Sequence, residues 1–321
     1  MPIHKTLAPK LGIKLTFGII VKAYFLDPLL SDREFELETR DLAPRSLEHS
    51  TILRILCLGA SITYGYHSSD GNGYRYALRG KLIEQGNDVN MIGYVSVGNM
   101  SNNQVEAFPG YRIDQVAKKG NLSLPEMPNV VLIFLGTNDM TQNYQVSTAH
   151  VRMGNLVDHI LSVVPNATVI VGTLLPNAKP SAETNILAFN AALPGVISNL
   201  TSQGKKVSLV DFHSDWFSTA DLGTDGTHPT DMGYLKMARV FYKGIVAAAE
   251  AGNITAPTVV AGVDDYKAGN DSSKAGTAID VVCQGQINGT AQKTQCSEGE
   301  RLQVWNVGCG PFFFEIDVEG C

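Results

Sequence analysis

The sequence predicts an α/β fold with a mainly parallel sheet, on three observations. Between residues 51 and 250, short apolar runs alternate with stretches of helical spacing, at lengths that suit strands and helices in turn. One run, Val130-Val131-Leu132-Ile133-Phe134-Leu135, is apolar at every position, as a central strand covered on both faces must be. Chemically capable residues follow directly after these runs, where open α/β sheets gather their sites.

The elements follow in order. Ile52 to Leu58 is apolar but too short for a globular helix, so it predicts the first strand of this region. Tyr76 to Gln85 spaces Ala77, Leu78, Leu82 and Ile83 helically, and Gly86 is a fitting stop. Val89 to Ile92 predicts a short strand, Val130 to Leu135 the central one. Leu156, Val157, Ile160, Leu161 and Val164 give Val151–Val164 a helical face. Thr168 to Val171 predicts a strand. Ala182 to Gln203 predicts a helix, with a disturbance expected at Pro194. Lys206 to Val210 predicts the last strand, ending at Asp211, and Asp231 to Ala249 the closing helix.

The flanks read differently. Residues 1–50 carry no clear periodicity, and Ser31 to Glu48 is charge-rich and expected to be irregular. Leu11 to Leu26 is apolar but interrupted by Lys14 and Lys22, too short and charged for a membrane span and an imperfect secretory leader. Residues 251–277 are rich in Ala, Gly, Asp, Ser and Thr and read as a linker. Residues 278–321 read as a small strand-rich unit holding Cys283, Cys296, Cys309 and Cys321. Their spacing suits two disulfides of a secreted protein, four thiolates on a metal, or free thiols; no C-x₂-C pair is present, so disulfides are the expectation. Each loop closed would contribute about 3 kcal/mol in the chain-entropy model. Seven N-x-[ST] triplets, beginning at Asn99, Asn121, Asn166, Asn199, Asn253, Asn270 and Asn288, exceed the roughly three expected by chance. Tail and triplets together predict an extracellular protein.

Composition narrows the function. With 321 residues, 44% hydrophobic and 17% charged, the chain reads as an ordinary globular protein. A net charge of −6 without a basic cluster gives no reason to expect nucleic acid as partner. No phosphate loop, dinucleotide fingerprint or zinc pattern appears, so no cofactor is expected.

Three segments carry the chemistry. Asp225-Gly226-Thr227-His228 sets an acid three residues before a histidine, two thirds of a catalytic triad. Gly59-Ala60-Ser61-Ile62-Thr63 places a serine just after the first apolar run, and Gly136-Thr137-Asn138-Asp139 ends the central run in an amide and an acid. A nucleophile, an amide able to hold an oxyanion and an acid/base pair are what a serine hydrolase requires. Asp139 is expected to brace its turn rather than act. His213, near Asp211 and Asp215, has no second histidine at ligand spacing and is expected to be structural. Arg112 suits a structural salt bridge at least as well as a place beside the substrate. Trp216 and Phe217 read as core before sugar platform, and Cys57 as buried core.

In order and spacing these segments resemble the SGNH (GDSL-like) hydrolase superfamily over residues 51–250. Gly59-Ala60-Ser61-Ile62-Thr63 is similar to its first block, Gly110 in Phe108-Pro109-Gly110-Tyr111-Arg112 to its second. Gly136-Thr137-Asn138-Asp139 is similar to its third and Asp225-Gly226-Thr227-His228-Pro229 to its last. The departure is Ala60, where the family has an aspartate that is not the nucleophile. The segments Gly73-Tyr74-Arg75 and Gly110-Tyr111-Arg112-Ile113 are similar to the third carbohydrate-esterase family, which includes acetyl xylan esterases. The resemblance implies a three-layer α/β/α sandwich and a triad of Ser61, His228 and Asp225. It also implies an oxyanion hole from the Ser61 and Gly110 backbone N–H groups and the Asn138 amide. The expected activity is removal of O-acyl groups, acetyl first, from carbohydrate. Its rivals are a lipid esterase of the same superfamily and a non-catalytic glycan-binding protein.

Overall fold

A computed structural model describes residues 52–265, together with the strands Leu11–Lys14, Ile20–Tyr24 and Phe313–Asp317. The chain divides into two compact units, residues 1–40 with 276–321, and residues 41–275. In the first, β1 (Leu11–Lys14), β2 (Ile20–Tyr24) and β10 (Phe313–Asp317) form an antiparallel sheet in the order β1-β2-β10. Residues 1–50 show no clear periodicity in sequence, yet β1 and β2 stand among them; Ser31 to Glu48 lies outside the described residues. Ile20, Val21 and Tyr24 are of the β-branched and aromatic types that suit a pleated surface. The four tail cysteines and Asn270 and Asn288 lie outside the described residues.

The second unit is the α/β fold. Its strands are β3 (Ile52–Gly59), β4 (Asp88–Ile92), β5 (Val95–Ser96), β6 (Gln104–Ala107), β7 (Val130–Phe134), β8 (Thr168–Gly172) and β9 (Val207–Val210). They form one sheet in the order β5-β6-β3-β7-β8-β9, with β4 beside β3. All pairs are parallel except β5 with β6. One edge of β3 is shared: β4 pairs Ile52 to Leu56, and β6 pairs Leu58 and Gly59. The strands β7 and β8 are buried at every residue, which is why their sequences are apolar throughout rather than alternating.

The helices are α1 (Ser61–Tyr64), α2 (Tyr74–Glu84), α3 (Ile113–Gly120), α4 (Thr137–Thr141), α5 (Ala149–Val163), α6 (Pro180–Ser202) and α7 (Asp231–Glu250). They pack in two groups, α2 with α7 and α3 with α5 and α6, as sheet faces that are both buried require. Phe212 shows how tightly the α7 side closes. It is fully buried among Phe134, Phe217 and Phe241, with ring centroids 4.9–5.8 Å away. Burying such a ring contributes about 2–3 kcal/mol. A Cβ on Gly172 would stand 2.5 Å from its ring, so β8 must end in glycine.

Pro194 does not interrupt α6. It faces solvent, so the carbonyl its ring leaves unbonded can take water. The segment after α7, expected to begin a linker, lies along the amino ends of the strands as far as Asp265. Thr168 Oγ1 donates to the Asn253 carbonyl at 2.8 Å and Asn129 Nδ2 to that of Thr255 at 2.7 Å. The buried Arg54 forks onto Asp265, at 3.0 Å for both nitrogens, and also donates to the carbonyls of Glu126, Met127 and Thr258. Among the described residues, no helix is long and apolar enough to cross a membrane.

Candidate functional site

The sheet register assembles the site. Gly59, last in β3, pairs on one side with Ala107, last in β6, and on the other with Phe134, last in β7. Three adjacent strands therefore end at one level, and Ser61, Gly110 and Asn138 stand on the loops that leave it. The Phe108 N–H donates to the Gly59 carbonyl at 3.1 Å and extends that pairing into the Gly110 loop.

Ser61 opens α1, so its N–H is among the first-turn donors that have no acceptor within the helix. The strand-to-helix turn is tight enough to demand Gly59. A Cβ there would lie 2.1 Å from Thr63 Oγ1 and 2.6 Å from the Phe134 carbonyl oxygen. Ala60, buried at the helix cap, offers no side-chain bond to α1. Thr63 Oγ1 instead ties the turn to the Phe134 carbonyl at 3.3 Å. Gly110 has φ +82°, and a Cβ there would meet open space, so the glycine serves its backbone conformation and leaves the mouth clear. One hydrogen of the Asn138 amide is spent on the Tyr111 carbonyl at 2.9 Å, which orients the amide between the Gly110 loop and α4.

Asp225 and His228 share a pinned loop after β9. Gly223 N–H donates to the His228 carbonyl at 2.7 Å and Thr230 N–H to that of Asp221 at 2.9 Å. From the side, Ala178 N–H donates to the Gly226 carbonyl at 2.9 Å and Asn177 Nδ2 to Thr227 Oγ1 at 3.0 Å. The loop brings His228 Nε2 to 2.8 Å from Ser61 Oγ, and His228 Nδ1 to 2.6 Å from Asp225 Oδ2. Asp225 Oδ1 accepts the backbone N–H groups of Thr227 at 2.9 Å and His228 at 3.0 Å. Partial burial pushes this carboxyl up, but the N–H and ring of His228 and the N–H of Thr227 outweigh it and hold the group at about 2.

The structure thus joins Ser61, His228 and Asp225 by direct contacts, and stands Gly110 and Asn138 just beyond the ends of β6 and β7, the strands that flank β3 there. Others stand apart. Asp139 is fully buried, where it pairs with Arg152 and accepts the Ile113 N–H at 3.1 Å, so it braces α3 and α5. Burial raises its carboxyl, with Arg152 acting against that. His213, just after β9, holds its Nε2 2.8 Å from Glu183 Oε1 of α6. Arg112 donates to Gln142 at 2.8 Å and lies 4.0 Å over the Tyr144 ring. Phe217 is core, whereas Trp216 is 42% exposed, with Lys236 and Arg239 near its ring. Cys57 is a buried free thiol pushed up to about 11 by burial. No group of His, Cys, Asp and Glu able to hold a metal occurs among the described residues.

Two residues beside His228 were not expected. Tyr66 has its ring 4.9 Å from that of His228, and His67 has its own 5.3 Å away with Nδ1 3.8 Å from Asp225 Oδ2. Their closeness in sequence to Ser61 was the available signal; the fold's return of the Asp225 loop to that segment was not visible.

Comparison with known proteins bears on the family and the fold. The model of the GDSL-like Lipase/Acylhydrolase family matches residues 57–236. A multidomain esterase of Ruminococcus flavefaciens is 26% identical over 249 residues, 67% of this chain and 32% of that protein. A curated relative from Acetivibrio thermocellus is 33% identical over 117 residues, 36% of this chain and 49% of that protein. The chain therefore spans about a third and about half of these relatives. Among solved structures, a Clostridium thermocellum family 3 carbohydrate esterase superposes with a TM-score of 0.57 at 29% identity, covering 63% of this chain and 98% of that one. A family 3 carbohydrate esterase from Talaromyces cellulolyticus shares the fold, with a TM-score of 0.55 at 19% identity over 62% of this chain and 99% of that one. With more than half of its length matched by that family's model, this chain belongs to the GDSL-like lipase/acylhydrolase family.

Proposed function

We propose that the chain is a serine esterase that removes O-acetyl groups from carbohydrate, with Ser61, His228 and Asp225 as its triad. The observation that carries this is the chain of contacts from Ser61 Oγ to His228 Nε2 to Asp225 Oδ2, at 2.8 and 2.6 Å. Ser61 Oγ attacks the ester carbonyl while His228 Nε2 takes its proton, and Asp225 steadies the imidazolium through Nδ1. The oxyanion then accepts the N–H groups of Ser61 and Gly110 and the remaining amide hydrogen of Asn138. His228 returns the proton to the leaving alcohol, giving an acyl-enzyme. Water activated by the same imidazole releases acetate and restores Ser61.

Carbohydrate as the alcohol side is supported by the 29% identical structure, described as a family 3 carbohydrate esterase. Hydrolysis of acetylated xylan beside p-nitrophenyl acetate, butyrate and octanoate tests it. Acetate release from xylan that fades with chain length on the synthetic esters is the expected result. Preference for octanoate would transfer the enzyme to lipid esters, and tail-only binding to polysaccharide without turnover would make it a glycan-binding protein.

An extracellular, N-glycosylated and disulfide-bonded protein completes the proposal. Its support is that Asn99, Asn121, Asn166 and Asn199, each opening an N-x-[ST] triplet, are solvent-exposed. Non-reducing peptide mapping of the protein from a secreting eukaryotic host should find glycans at these positions and two bridges among Cys283, Cys296, Cys309 and Cys321. Four free thiols would overturn the disulfides.

A further inference from the structure

We infer that His67 is a positioning residue of the triad: in its protonated form it pairs with Asp225 and so competes with His228 for that carboxylate. The inference rests on the triad reading above.

Geometry points to it first. His67 Nδ1 stands 3.8 Å from Asp225 Oδ2, the same oxygen that meets His228 Nδ1 at 2.6 Å. That distance is too long for a hydrogen bond but within ion-pair reach of the Asp225 carboxylate once the ring carries a proton. The His67 and His228 rings lie 5.3 Å apart, with Tyr66 closing the third side at 4.5 and 4.9 Å. The His67 side chain is 42% exposed, so solvent reaches the ring.

The backbone says that this placement is held rather than incidental. His67 has φ +68°, in the left-handed region that costs a non-glycine residue free energy and persists only where the surroundings impose it. Both neighbours do so. Tyr66 donates its N–H to the Ser61 carbonyl at 2.9 Å, and its own carbonyl accepts the Tyr234 hydroxyl at 2.7 Å. Ser68 bonds back to the Gly65 carbonyl at 2.8 Å through its hydroxyl, and Ser69 N–H donates to Asp231 Oδ1 at 2.8 Å. The strained residue is thus clamped between the nucleophile's helix and α7.

Beside His67 stand Asp225 and His228 from the triad loop and Tyr66 from its own segment, while Asp231 and Tyr234 of α7 bond to Ser69 and Tyr66, and Asp70 follows three residues on. Asp70 is engaged by Asn72 at 2.8 and 2.7 Å and Asp231 by Ser69, which leaves Asp225 as the carboxylate that His67 meets. A proton on His67 does two things. It draws on the carboxylate that steadies His228, and it sets a second positive charge against the imidazolium formed when Ser61 gives up its proton. Both slow the attack step. The two rings therefore compete for one carboxylate more strongly as pH falls.

The test is kcat/KM on p-nitrophenyl acetate from pH 4 to 9 for wild type, His67→Asn and His67→Lys, with Ser61→Ala as control. Asparagine tolerates the left-handed region, so His67→Asn removes the titrating group without the backbone strain of most replacements. The expected wild-type acid limb needs two ionisations and the His67→Asn limb one. Wild type should fall about two- to fivefold below its own single-ionisation curve, the size of an exposed ion pair. His67→Lys should carry a similar deficit up to the plateau, relieved by salt. Coincident profile shapes for wild type and His67→Asn, or an undiminished plateau in His67→Lys, would overturn the inference. Activity surviving in Ser61→Ala would instead overturn the triad on which it rests.

Discussion

Asp225→Asn separates what this acid does for chemistry in the proposed triad from what it does for the fold. Asp225 Oδ1 takes two backbone N–H groups, at 2.9 and 3.0 Å, and Oδ2 takes His228 Nδ1 at 2.6 Å. An asparagine that keeps its oxygen on the backbone must turn its NH₂ toward Nδ1, which forces the imidazole into the tautomer with the proton on Nε2. That tautomer has no lone pair for the Ser61 proton, and loss of a triad acid in this way costs about 10⁴ in kcat. The stability cost is much smaller. A fall from the usual 3.8 to about 2 corresponds to roughly 2.5 kcal/mol in a shielded site. The Asp225 side chain is 34% exposed, so solvent screening reduces this to about 1 kcal/mol. Because the folded carboxyl is held down, its stabilisation is present above about pH 4 and disappears as pH falls toward 2. Asp225→Asn should therefore lower Tm at pH 7 by about 2–4 °C, converge with wild type near pH 2, and lose three to four decades of kcat/KM. An activity loss below tenfold, or unfolding that accounts for the lost rate, would refute the reasoning.

Three further outcomes follow from the contacts. Asn138→Ala should lower kcat about 10²–10³ with little change in KM for p-nitrophenyl acetate, read from full saturation curves. Gly59→Ala should destabilise by about 3 kcal/mol in urea, because the new Cβ meets the Phe134 carbonyl and Thr63 with no room to shift. Arg54→Ala should cost about 3–5 kcal/mol by removing a buried partner of Asp265 and of three carbonyls. Activity per folded molecule should survive Arg54→Ala, because Arg54 lies near the amino end of β3 and Ser61 follows its carboxyl end.

Much of this was legible in the sequence because burial on both faces leaves an unbroken apolar run. β7 was expected from Val130 to Leu135 and runs from Val130 to Phe134; α7 was expected from Asp231 to Ala249 and runs to Glu250. Ser61 and Asn138 stood out because each follows an apolar run, Asp225 and His228 because three residues separate them. What escaped had no local signature. The β5–β6 hairpin is only two residues deep in its pairing, and α3 lies in a polar stretch whose capping by Gln115 is visible only in three dimensions. Arg54 looks like a flaw in an apolar run, since its partner Asp265 is 211 residues away. Pro194 was expected to disturb α6, and only its outward orientation makes it tolerable. Tyr66 and His67 owe their place beside His228 to a loop that returns from the far side of the sequence.

Hydrolysis by wild type and Ser61→Ala, run side by side on acetylated xylan and on p-nitrophenyl acetate, tests the central claim most directly. The account predicts acetate release from both substrates by wild type and none above background by a folded Ser61→Ala protein. Turnover retained by Ser61→Ala, or a folded wild type silent on both esters, would contradict it.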